Sequence, residues 1–137
     1  MKLRISIVLA SFVVLLASCA GKGYDAAECN ELSIKIERRD SLTQHDYRMM
    51  IDQSEQILKY LVDRSSTLEE LPPDERYPAY RELLADPEYM ERFSYLFTLG
   101  SALYQADESG RLDAANAERY VALDDYNTRF AEITDRM

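Results

Sequence analysis

The sequence predicts an all-α protein: a small antiparallel bundle of about five helices that follows a cleaved N-terminal leader. Three observations predict it. Apolar residues recur at spacings of three and four along nearly the whole chain after the leader. No run of four to eight residues alternates apolar with polar as a half-buried strand would. Short connections between the helical runs, at Pro72-Pro73 and Ser109-Gly110, favour antiparallel neighbours. With 137 residues, 47% of them apolar and 30% charged, the composition is that of one ordinary globular domain.

The first helix is expected from about Ala26 to Arg39, with Cys29, Leu32 and Ile36 on one stripe. The second covers about Gln44 to Arg64, where Tyr47, Met50, Ser54, Ile57 and Leu61 are spaced by three and four and reinforced by Ile51 and Leu58. Ser41 and Gln44 form a capping-box pattern for its start. Pro72 and Pro73 then forbid continued helix, and a short helix is expected from about Pro78 to Ala85, proline being tolerated in a first turn.

Asp86-Pro87-Glu88 combines a cap, a ring-fixed first residue and a carboxylate at the positive helix end. The helix it opens, about Pro87 to Gln105, is expected to bury Tyr89, Phe93, Leu96, Phe97, Gly100, Leu103 and Tyr104. Gly100 costs about 1 kcal/mol against alanine in a helix, so it marks either the close approach of a neighbouring helix or a mild bend. After the Ser109-Gly110 turn, Asp113 can cap a last helix from about Ala114 to the C-terminus, with Tyr120, Leu123, Asn127, Phe130, Thr134 and Met137 as its inner stripe. Such helices are marginal alone in water and need one another's apolar faces.

The N-terminus has a different character. Lys2 and Arg4 precede a 12-residue apolar stretch, Ile5 to Leu16, and small residues follow, the layout of a secretory signal peptide. A spanning helix takes about 20 apolar residues, so a retained transmembrane anchor is the weaker fit. The ending Leu16-Ala17-Ser18-Cys19 resembles the lipobox of bacterial lipoproteins. That resemblance implies a leader of residues 1–18, cleavage before Cys19, a diacylglyceryl thioether on the Cys19 thiol and acylation of the new amino terminus. Residues 19–25 would then be the lipidated cysteine and a short tether, and 26–137 the bundle. The stretch from Ala20 to Asp25 reaches about 20 Å when extended, at about 3.4 Å per residue, which would hold the bundle near the lipid. Ala20 is not the aspartate that retains such proteins at an inner membrane, so the resemblance points to the outer membrane, facing the periplasm. A second, shorter resemblance links Leu99-Gly100-Ser101-Ala102-Leu103-Tyr104 and Gly110-Arg111-Leu112-Asp113-Ala114-Ala115 to part of a tetratricopeptide repeat. It implies peptide or protein docking.

Sixteen basic and 25 acidic side chains leave a formal charge of −9; nucleic acid is excluded as a partner because phosphate binding needs a basic face. Removing residues 1–18 takes away only Lys2 and Arg4, which leaves 14 basic and 25 acidic side chains, a balance of −11. Membrane attachment is therefore expected through the acyl chains on Cys19 rather than through charge.

Reaction chemistry has few residues to draw on. Asp124-Asp125, Asp74-Glu75 and Glu88 with Glu91 read as solvated faces. A helical di-metal site needs two Glu-x-x-His units, but His45 is the single histidine and Leu42 stands three residues before it. No Gly-x-Ser-x-Gly elbow accompanies His45. Cys29, the one thiol left once Cys19 is acylated, reads as a small buried group, or alternatively as a redox thiol in an oxidising compartment. Tyr60, Tyr77, Tyr80, Tyr95 and Tyr126 lie off or at the edges of the core stripes and are candidates for an exposed aromatic patch. The expectation is a non-catalytic, lipid-anchored protein without metal or cofactor that binds an envelope protein as accessory, adaptor or inhibitor. The alternatives are an envelope hydrolase using carboxylates and a carrier of an apolar ligand.

Overall fold

A computed structural model describes residues 23–137, and the expected all-α bundle is what it shows. The helices are α1 (Ala26–Glu37), α2 (Gln44–Ser66), α3 (Pro73–Leu84), α4 (Pro87–Glu108), α5 (Ala114–Ala122) and α6 (Asp124–Asp135), with a 3-10 turn at Thr67–Glu70. The leader, the lipobox and Cys19 lie outside the described residues. No described helix is long and apolar enough to cross a membrane.

The long α2 is the central element, packed by α1, α4, α5 and α6. Its expected stripe is buried in full: Tyr47, Met50, Ile51, Ser54, Ile57, Leu58 and Leu61. Paired contacts fix the directions of its neighbours. Asp25 and Lys35 at the two ends of α1 bond Gln53 and Asp46, so α1 runs antiparallel to α2. Tyr89 at the start of α4 meets Ser65 at the end of α2, hydroxyl to hydroxyl at 2.9 Å, so α4 does too. Asn116, Arg119 and Arg129 reach Gln44, Asp52 and Glu69 in turn; α5 and α6 therefore run parallel to α2.

Local signals account for most helix starts. Asp86 and Asp113 cap α4 and α5 as expected, each side chain accepting from a first-turn amide. Four expectations need correction. The cap of α2 is Thr43 rather than Ser41, and its box partner is Asp46, whose carboxylate accepts from the Thr43 amide while the Thr43 hydroxyl accepts from Asp46 N–H. Gln44 is thereby freed to bond Arg111, Asp113 and Asn116 across the bundle. Second, α3 begins at Pro73, not Pro78. Pro73 takes the first helical position, where no amide hydrogen is needed; Pro78 sits inside the helix, exposed, beside an equally exposed Asp74, so water can satisfy the carbonyl that Pro78 leaves unpaired.

Third, the last expected helix is two segments that meet at Leu123, where the Leu123 amide turns back to the Tyr120 carbonyl at 3.1 Å and the Leu123 side chain is buried. In the second segment Ile133 is buried, whereas Asn127 is exposed. Fourth, α4 buries Tyr89, Leu99, Leu103 and Ala106, while Phe97 and Tyr104 point outward, 73% and 59% exposed. Large apolar residues lie on more than one face of α4, so spacing alone allows two registers; packing against α2 selects one. No neighbour lies within 4 Å of where a Gly100 Cβ would stand, so close approach of another helix is not the reason for that glycine.

Candidate functional site

The outward face of α4 is the feature that separates this bundle from a plain solvated one. Phe97, Ser101 and Gln105, on successive turns, form a ridge with a groove on each side. The first groove, about 500 Å³, has Ser54 and Leu58 of α2 at its floor, Leu96, Gly100 and Leu103 on one wall, and Tyr120, Leu123 and Asn127 on the other. Gly100 adds no side chain to this space. The second groove, about 610 Å³, runs between α4 and the α1–α2 connection over Ile36, Leu42, Tyr47 and Ala102, with Arg39 and Arg111 at its edge.

Ser54 gives the first groove a polar point. The residue is 1% exposed, and its Oγ has no hydrogen-bond partner among the described residues. A buried hydroxyl left without a partner costs about 1–3 kcal/mol, and a group entering the groove can supply one. Tyr120, in the facing wall, has its hydroxyl pKa pushed up by burial first and then by the charges of Asp107, Asp124 and Glu108.

The five tyrosines singled out from sequence are not brought together as one surface. Tyr77 is 57% exposed on α3; the other four are half-buried against the core. Tyr60 and Tyr80 flank the buried Tyr89. The Arg92 guanidinium is held between two rings, 4.1 Å from the Tyr60 centroid and 4.2 Å from that of Tyr24, and Tyr24 donates its hydroxyl to Glu91 at 2.7 Å. The Lys59 ammonium lies 5.8 Å over Tyr126, and Tyr95 sits on the α1 side near Glu91 and Cys29. The large residues that are exposed, Phe97 and Tyr104, are ones that helical spacing by itself would place in the core. The local signal for their exposure was Gly100 and Ser101, small residues between two large aromatics.

The carboxylates noted from sequence, Asp74, Glu75, Glu88, Glu91, Asp124 and Asp125, are all exposed. Two others are buried, Glu28 and Asp46. Glu28 accepts from the Gln53 amide at 2.8 Å. Asp46 accepts from Lys35 and from the Thr43 amide, both at 2.9 Å. Burial alone would raise the Asp46 pKa, but these donors outweigh it and hold the carboxyl below its ordinary range. Cys29 is fully buried, its thiol 3.6 Å from Gln53 Oε1, and burial followed by nearby carboxylates pushes its pKa up to about 12. His45 is exposed at the start of α2. Among the described residues no three His, Cys, Asp or Glu side chains are placed to hold a metal ion. No protein-family model, curated protein or solved structure matches the chain.

Proposed function

We propose that this chain is a lipid-anchored protein of the bacterial cell envelope that acts by holding another envelope protein against the outward face of α4, as an accessory, adaptor or inhibitor with no reaction of its own. The observation that carries the binding role is Phe97, exposed on a ridge between a largely apolar groove and a second, mixed one edged by Arg39, Asp40 and Arg111. Contiguous exposed apolar surface with a polar rim is characteristic of interaction sites, and a large aromatic beside a pocket is the usual anchor of such a contact. The anchor role rests on Leu16-Ala17-Ser18-Cys19, and the location, an outer membrane facing the periplasm, on that lipobox and on Ala20.

Two measurements test the proposal. Cys19→Ala should leave the bundle folded yet release it from washed membranes, since two acyl chains supply stable attachment that no other feature replaces. Persistence of the mutant at the membrane after leader removal would refute the anchor. A photo-crosslinking residue at position 97 should join the chain to a protein neighbour in intact cells, whereas the same residue at the exposed position 74 should not. Equal labelling at both positions would refute the docking face. The Ser54 groove, about 500 Å³ and so within the roughly 300–1,000 Å³ range of small-ligand sites, favours carriage of an apolar ligand as a second reading. Native mass spectrometry of the purified chain, showing it free of bound lipid, would dispose of that.

A further inference from the structure

We propose that the groove beside Gly100 receives a cationic amphipathic helix of the partner protein, an inference that rests on the α4 face being the docking surface. Shape comes first. The α4 wall runs from Leu96 to Gln105, nine steps of about 1.5 Å or about 14 Å in all. A helix presenting apolar anchors at i, i+3 or i+4, and i+7 covers about 10 Å, so three such anchors fit along it. Gly100 shows bare backbone to the groove, with nothing within 4 Å of its missing Cβ, and permits the helix axis to come close. The unpartnered Ser54 hydroxyl on the floor calls for one polar side chain among the anchors.

Charge selects the sign. Asp107 and Glu108 lie one turn beyond Tyr104, and Asp124 follows Leu123, all exposed at the Tyr120 end of the groove. Among the described residues no Lys or Arg pairs with any of the three. Asp46, Asp52, Glu55, Glu69, Asp86 and Glu88 elsewhere each hold one. The last turn of α4 also lacks a basic side chain, so the negative end of its dipole is uncompensated at the same place. Tyr120 of the groove wall lies near all three, and burial followed by their charges raises its hydroxyl pKa. An apolar bed with an unneutralised acidic end fits a helix with lysine or arginine flanking its apolar stripe, and repels an acidic one.

The test uses the purified full chain in nonionic detergent and two synthetic 15-residue helices with identical leucine and serine anchors, one flanked by lysine and the other by glutamate, with binding read by fluorescence anisotropy. The lysine peptide should bind at least about tenfold more tightly than the glutamate peptide. Gly100→Leu, which fills the groove without a backbone conflict, should weaken the lysine peptide about tenfold or more while helical content is unchanged. The triple substitution Asp107→Asn, Glu108→Gln, Asp124→Asn should shrink the difference between the peptides. Equal binding of both peptides, or lysine-peptide binding that Gly100→Leu leaves intact, would overturn the proposal, the latter exposing general attraction to an acidic chain. Concentration-dependent dimerisation abolished by Gly100→Leu would overturn it too, because a second copy would then fill the groove. A crosslinked protein neighbour at position 97 alongside such results would leave the docking face standing and remove only the cationic helix. Without that neighbour the docking face itself falls.

Discussion

Replacing Gly100 by alanine should stabilise the protein. Position 100 lies in the interior of α4, where glycine is about 0.8–1.0 kcal/mol less favourable than alanine. The usual opposing cost is collision of the new methyl with a neighbour, and here a Cβ would meet nothing within 4 Å. The backbone is helical, so no left-handed strain intervenes. With neither a clash nor a new packing contact, the helix preference stands alone, giving about 0.8–1.0 kcal/mol and a rise in melting temperature of about 4 °C for a domain of this size. Thermal unfolding followed by circular dichroism, and urea unfolding with an unchanged slope, measure it directly. A loss of stability would refute the reasoning, since it would mean that α5 and α6 close on α4 at position 100 and that the groove is filled in solution. The sign of one small substitution therefore reports on the feature to which the binding proposal is tied.

Three further outcomes follow from the buried polar groups. Tyr89→Phe removes the 2.9 Å bond to Ser65 and leaves a fully buried serine hydroxyl, so stability should fall by about 1–2 kcal/mol with the fold intact; urea unfolding would show it, and an unchanged midpoint would refute it. Cys29 should resist alkylation at pH 8 in the native protein and react only on unfolding, because a buried thiol whose pKa is raised to about 12 carries almost no thiolate there; rapid native labelling would return the redox reading of Cys29. Asp46 has a folded pKa below its unfolded value of about 3.9, so its contribution is present above about pH 4 and is lost as pH falls through the folded pKa. Asp46→Asn should accordingly destabilise the protein by about 1 kcal/mol near neutrality, through loss of the capping box and the Lys35 pair, and the gap from the parent should narrow below about pH 4. A gap that stays constant down to about pH 2 would contradict this account.

Gln53 shows how one core amide fixes the first described residues to the bundle. Its side chain accepts from the Asp25 amide at 2.9 Å and donates to the Gly23 carbonyl at 3.3 Å and to Glu28. The first described residues are thereby bound to the middle of α2, well away from its ends. Tyr24, next along the chain, lies over Arg92 on the same flank.

Local chemistry determined most of which residues are helical: the three-and-four spacing of α2 and the aspartate caps of α4 and α5 are legible in the chain itself, whereas the start of α3 at Pro73 and the break at Leu123 were not. The central place of α2 was not legible in this way: its sequence shows one apolar stripe, and only the packing of α1, α4, α5 and α6 around it puts it in the middle. Tertiary structure alone decided which side of α4 turned outward, because a helix with aromatics on several faces buries whichever of them its neighbours can pack. It also decided that Gln44 bonds the α4–α5 turn and α5 instead of its own helix start, a choice made between partners 67 to 72 residues apart. Spacing along a chain specifies a helix because the 3.6-residue repeat is local. Exposure of Phe97 depends on where five other helices stand, and no local repeat contains that.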